Sequence, residues 1–145
     1  MFVVRNVAAL VPPYQPDAGG FHGTSAAIEF GVRVLRVSRL VVLGHAQCGG
    51  VRAMAFGAPP QARDFVAAWT DIGKPALAKV NDPTAPGKLG QVETEVVRLS
   101  LANLMTFPWV ADLVNRGRLA IDGYLFDIHT GALARVLAEG TEIVD

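Results

Sequence analysis

At 145 residues, half of them apolar, the chain is the length of one domain and can bury a sizeable core. Lys plus Arg equals Asp plus Glu at 13 each, the formal charge is zero, and no run of like charge occurs, so nucleic acid and anionic membrane are excluded as first-choice partners. Apolar runs stop at about five residues, far short of the roughly 20 that span a bilayer, no signal-peptide layout is visible, and one cysteine cannot close an internal disulfide, so the chain reads as soluble and cytoplasmic.

In chain order, residues 2–8 (FVVRNVA) are β-rich and predict a strand. VPPYQPDAGG follows, with three prolines and two glycines in ten residues, and reads as a loop. Thr24 or Ser25 then caps a helix over 26–37, with Glu29 early and Arg33, Arg36 and Arg39 towards its end, the signs that the helix dipole favours. Residues 40–43 form a short continuous apolar strand of the kind covered on both faces, which completes a βαβ unit.

Beyond Gly49 and Gly50 the spacing predicts a short helix over 51–56, stopped by Gly57 and the Pro59-Pro60 pair. A second is predicted over 62–72, with Phe65, Val66, Trp69 and Ile72 on its apolar side. After a loop at 81–87, a long amphipathic helix runs from about 89 to 105, and Pro108 opens a further one that Gly117 closes. The tail alternates through Leu119, Ile121, Tyr124 and Phe126, turns at Asp-x-x-Thr-Gly and resumes at Leu133, which predicts a hairpin. The fold class is α/β: a mostly parallel central sheet flanked by helices, finished by a C-terminal hairpin, in a single domain over 1–145. Positive mean hydropathy with few charges places part of the apolar surface inside an oligomer.

Chemistry concentrates in GHAQCGG, where His45 and the lone Cys48 stand three apart at the end of a strand. A P-loop needs Lys and then Ser or Thr after its second glycine, and Gly50 and Val51 stand there instead. A nucleophilic Cys48 with His45 as its base is a second reading, although no neighbour supplies the group that would orient the histidine. A zinc site is the third: thiolate and imidazole are both zinc donors, and α/β sheets bind ligands at the carboxyl ends of their strands. Against all three stands ordinary packing of a small buried thiol beside a hydrogen-bonded histidine.

Taken together, FVVRNVA, GTSAAIEF, GHAQCGG, VETEVVRLSLANLMTFPWV and GYLFDIHTGAL resemble the β-class carbonic anhydrases, in order and over essentially the whole chain. The resemblance implies a zinc lyase that interconverts carbon dioxide with bicarbonate and a proton, working as a homodimer or higher even oligomer. It assigns His45 and Cys48 as two of three protein ligands, Phe21 to the small apolar substrate cleft and the Gly49 N–H to bicarbonate. It gives no ligand role to His22 or His129. As in other carbonic anhydrases, zinc would lower the pKa of its bound water. The family's C-x-D-S-R segment, which carries the remaining cysteine and an Asp–Arg pair, has no counterpart before Met1-Phe2, so the domain reads as N-terminally incomplete. The expectation is weak zinc binding and impaired activity for this polypeptide, with no catalytic residue assigned, and a non-catalytic structural or bicarbonate-binding relative as the alternative.

Overall fold

The apolar run at 40–43 lies inside β1 (Arg39–His45), a strand that continues far enough to take in His45 itself. A computed structural model describes residues 1–16 and 19–144, so Asp17 and Ala18 of the expected loop lie outside the described residues. β1 pairs in parallel with β2 (Ala120–Phe126), from Arg39 opposite Ala120 to His45 opposite Phe126. Then β3 (Leu133–Val136) and β4 (Thr141–Val144) add antiparallel, in the order β1-β2-β3-β4. The expected mostly parallel sheet is corrected to a mixed one: among the described residues the longest ladder is parallel and the other two are antiparallel, because the short turns of the tail can only return a strand antiparallel. β4 carried no sequence signal because every residue in it is exposed, so it has no burial alternation.

Between β1 and β2 run α2 (Gly49–Phe56), α3 (Val66–Thr70), α4 (Lys74–Leu77), α5 (Leu89–Leu104) and α6 (Pro108–Asn115), with α1 (Gly23–Glu29) before them. A parallel connection demands such a crossover, since a tight turn only returns a strand antiparallel. α5 lies across the sheet with Val92, Val96, Val97, Ser100 and Leu104 buried. It joins two apolar clusters, one under the strands around Val42, Val97, Phe107 and Val110, the other around Leu10, Cys48, Val51, Val92 and Val96. Close approach is possible because a Cβ on Gly123 would stand 2.6 Å from Val97 Cγ1. No helix among the described residues is long and apolar enough to cross a membrane.

Three local expectations are corrected. Residues 2–8 are not a strand: Ala8 and Ala9 take left-handed φ of 66° and 51°, which bends the chain so that Ala8 and Leu10 bury beside Cys48 and Val51. α1 begins at Gly23 with His22 in the cap position and no side-chain cap; the Thr24 hydroxyl instead accepts from Asn6 Nδ2 at 3.3 Å. Its continuation, Phe30–Val34, widens to the i→i+5 pattern and ends before Arg36, at φ 54°. The helix expected over 62–72 is divided: Val66–Thr70 is α-helical, Pro60–Ala62 and Asp71–Gly73 are 3-10 turns, and Phe65, expected on the apolar side, is exposed.

Candidate metal centre at the end of the first strand

β1 delivers His45 as its last residue, and the Ala46 N–H extends the ladder by donating to Phe126 O at 2.9 Å. The chain then turns through Gln47, at a left-handed φ of 56°, and Cys48 takes the cap position of α2 in extended conformation. His45 is exposed, and its Nδ1 lies 3.0 Å from Ala46 O. A carbonyl only accepts, so this contact puts the proton on Nδ1 and leaves the Nε2 lone pair open to a ligand. Such a carbonyl contact is how metal-binding histidines are commonly oriented.

Cys48 is buried, at 6% exposure, among Leu10, Val51, Met54, Val92 and Val96, so its packing role is real whatever else it does. Gly49 is the first residue of α2, and its N–H has no intrahelical acceptor. The three glycines of the motif differ. A Cβ on Gly49 would meet open space, whereas one on Gly50 would stand 2.6 Å from Val7 Cγ1 and 2.8 Å from the Ala8 nitrogen. Gly44 likewise yields to Val97, so only Gly49 leaves room for something to approach from solvent.

One functional candidate escaped the sequence reading. Glu93, on the second turn of α5, is 5% exposed, and its Oε1 accepts the Cys48 N–H at 2.9 Å. Burial pushes its carboxyl above the ordinary carboxylate value; the Cys48 N–H, the nearby His45 and the Gln47 N–H pull it back. The signal was present in the helical stripe Glu93, Val97, Ser100, Leu104, which puts a carboxylate on a face that is otherwise core.

Other expected positions lie apart. Phe21 is fully exposed and, with Pro12, His22, Trp69 and Lys74, lines a surface cavity of about 580 Å³ that none of His45, Cys48 or Gly49 lines. His22 Nε2 contacts Gly19 O at 2.6 Å, and His129 lies in the turn between β2 and β3. Among the described residues no group of three or more His, Cys, Asp or Glu side chains is close enough to hold a metal. His45 and Cys48 therefore suit zinc in kind and supply two donors in number.

The strand ends in an imidazole and, past a left-handed turn, Cys48 takes the cap position of the next helix in an α/β fold; comparison gives the class. The family model described as carbonic anhydrase matches residues 1–133. "Beta carbonic anhydrase 3" of Arabidopsis thaliana is 34% identical over 137 residues, 90% of this chain and 52% of the relative, so the chain spans about half the length of that protein. Among solved structures, the β-carbonic anhydrase CcaA superposes with a TM-score of 0.86 at 24% identity, over 99% of this chain and 71% of that one. A tetrameric β-carbonic anhydrase of Sordaria macrospora gives 0.74 at 23% identity, over 97% and 68%. The Coccomyxa β-carbonic anhydrase in complex with acetazolamide gives 0.74 at 22%, over 97% and 63%. This chain belongs to the β-carbonic anhydrase family.

Proposed function

We propose that the chain carries part of a zinc-dependent carbonic anhydrase centre, with His45 and Cys48 as protein donors and carbon dioxide and bicarbonate as reactants. The observation that carries this reading is the pairing itself: an imidazole oriented by the Ala46 carbonyl and a cysteine at the cap position of α2 stand three residues apart at a strand's carboxyl end. Zinc, when bound, supplies the Lewis acidity that makes water nucleophilic near neutral pH. His45 and Cys48 would hold the ion, the Gly49 N–H would donate to a bicarbonate oxygen, and Phe21 would contribute apolar surface. Phe21 is fully exposed in one chain, so its part requires a second surface; tetrameric relatives such as the Sordaria macrospora enzyme support a homo-oligomer. The single-domain reading is supported by α5, which enters both apolar clusters.

With one cysteine in its sequence, the chain offers two protein donors among the described residues, where catalytic zinc sites use three. Its zinc affinity and turnover are accordingly low. Zinc analysis and stopped-flow hydration of carbon dioxide on this chain, on Cys48→Ser and on His45→Ala test both parts. The expected result is substoichiometric zinc and slow turnover, both reduced further in either variant. Stoichiometric zinc with fast turnover that either variant abolishes overturns the impairment alone. Zinc and turnover indifferent to both substitutions overturn the assignment of the site.

A further inference from the structure

Glu93 has no role in the reading above, and its surroundings are unusual for a buried carboxylate. No Lys or Arg forms a salt bridge with it among the described residues. Its hydrogen-bond partner is the backbone N–H of Cys48, and His45 is the side chain whose positive charge favours its ionised form. A carboxylate with no basic partner is ordinarily costly to bury. This one is held against the inner side of the turn that presents both proposed zinc donors, where a bound cation would supply the missing charge.

The turn also needs a restraint. Gln47 sits in a left-handed conformation that L side chains avoid, and Cys48, though it occupies the cap position of α2, makes no side-chain cap hydrogen bond. Glu93 accepts the N–H of Cys48 itself, from a helix 45 positions away that is seated on the sheet through Val97. Cys48 is thereby tied to α5 as well as to β1.

We propose that Glu93 is the positioning residue of this centre: its carboxylate, by accepting the Cys48 N–H, holds the turn so that the Cys48 sulfur is presented to the metal. The inference rests on Cys48 being a metal donor. It calls for a carboxylate because the negative charge strengthens the bond to the Cys48 N–H and complements a bound cation, and an amide does neither.

Cadmium(II) titration of the full 145-residue chain, followed by the cadmium–thiolate charge-transfer band, tests the proposal alongside amide hydrogen exchange at Gln47 and Cys48. The proteins compared are wild type, Glu93→Gln, Glu93→Asp and Cys48→Ser. Cys48→Ser is expected to abolish the band. Glu93→Gln is expected to keep its far-UV circular dichroism, to lose cadmium affinity about tenfold or more, and to exchange the Gln47 and Cys48 amides faster while residues 51–56 stay protected. Glu93→Asp, which keeps the charge but withdraws the acceptor, shows the same pattern and serves if Glu93→Gln does not fold. Unchanged affinity and unchanged exchange in the folded variants overturn the proposal. A wild-type chain with no Cys48-dependent band overturns the metal reading instead, and the two amides then decide whether Glu93 holds the turn.

Discussion

Val97 Cγ2 lies 2.8 Å from the point that a Cβ on Gly44 would occupy. That separation is below any ordinary carbon contact, so helix α5 and strand β1 touch only because residue 44 has no side chain. Gly44→Ala forces Val97 or the strand to move and is expected to cost about 1–3 kcal/mol, the usual range for overpacking a core. Urea unfolding of Gly44→Ala, Val97→Ala and the double variant checks the cause. The double variant should lose less than the two single losses added together, because Val97→Ala empties the space that the new methyl needs. Strict additivity would assign the loss to something other than this contact.

Asp122 on β2 is buried with Arg135 Nη2 at 2.6 Å and Arg39 Nη1 at 3.2 Å, and the two arginine side chains are 49% and 61% exposed. The pairing is diagonal across three strands, since Asp122 stands opposite Val41 and Arg135 opposite Tyr124. The Arg39 contact lacks hydrogen-bond geometry, so Asp122 Oδ2 is buried without a hydrogen bond among the described residues. The asymmetry of burial sets the expected order. Removing both arginines strands a buried charge and costs about 3–5 kcal/mol, whereas Asp122→Asn returns two guanidinium groups to water and costs about 1 kcal/mol. Equilibrium unfolding of Arg39→Ala/Arg135→Ala beside Asp122→Asn tests this, and equal losses would contradict it.

The parts of this fold legible in the sequence are those whose cause is local. Pro108 and Gly117 bracket α6 because one lacks an N–H and the other takes a positive φ of 66°, and α5 kept its helical period from Leu89 to Leu104. The opening FVVRNVA has strand propensity, but a strand needs a partner, and the left-handed Ala8 and Ala9 take the chain into the core instead. The site divides in the same way. His45 and Cys48 are adjacent and scarce, so sequence alone singled them out. Glu93 reaches Cys48 only through the seating of α5 on two glycines, which no local pattern announces.

At the turn between β2 and β3, Asp127 Oδ1 accepts the N–H groups of His129 at 2.8 Å and Thr130 at 3.1 Å. These bonds, the His129 N–H first, favour the ionised form and hold the carboxyl below its ordinary value of 3.8. A depressed folded-state pKa means stabilisation that is fully present above 3.8 and lost as pH falls through the lower, folded value. The stability gap between wild type and Asp127→Ala should therefore be flat across neutral pH and shrink in acid. Denaturant unfolding at a series of pH values reads it directly. A gap that widens as pH falls would mean that the turn is held some other way.

Phe21 offers the last test, because its side chain is 108% exposed and gives one folded chain almost nothing to lose. Phe21→Ala in a dilute, monomeric sample should shift stability by no more than about 0.5 kcal/mol, as surface substitutions do. The same substitution should act on assembly, because fully burying a phenylalanine is worth about 1.5–3 kcal/mol. Val41 and Leu43 on β1 are also exposed apolar residues, and the strand they share ends at His45. The measurement is unfolding over a range of protein concentrations together with sedimentation of both proteins. Wild type and variant should coincide when dilute and separate as the wild type associates. A large loss in the monomer would place Phe21 within its own chain's core, and coincidence at every concentration would remove it from any interface between copies.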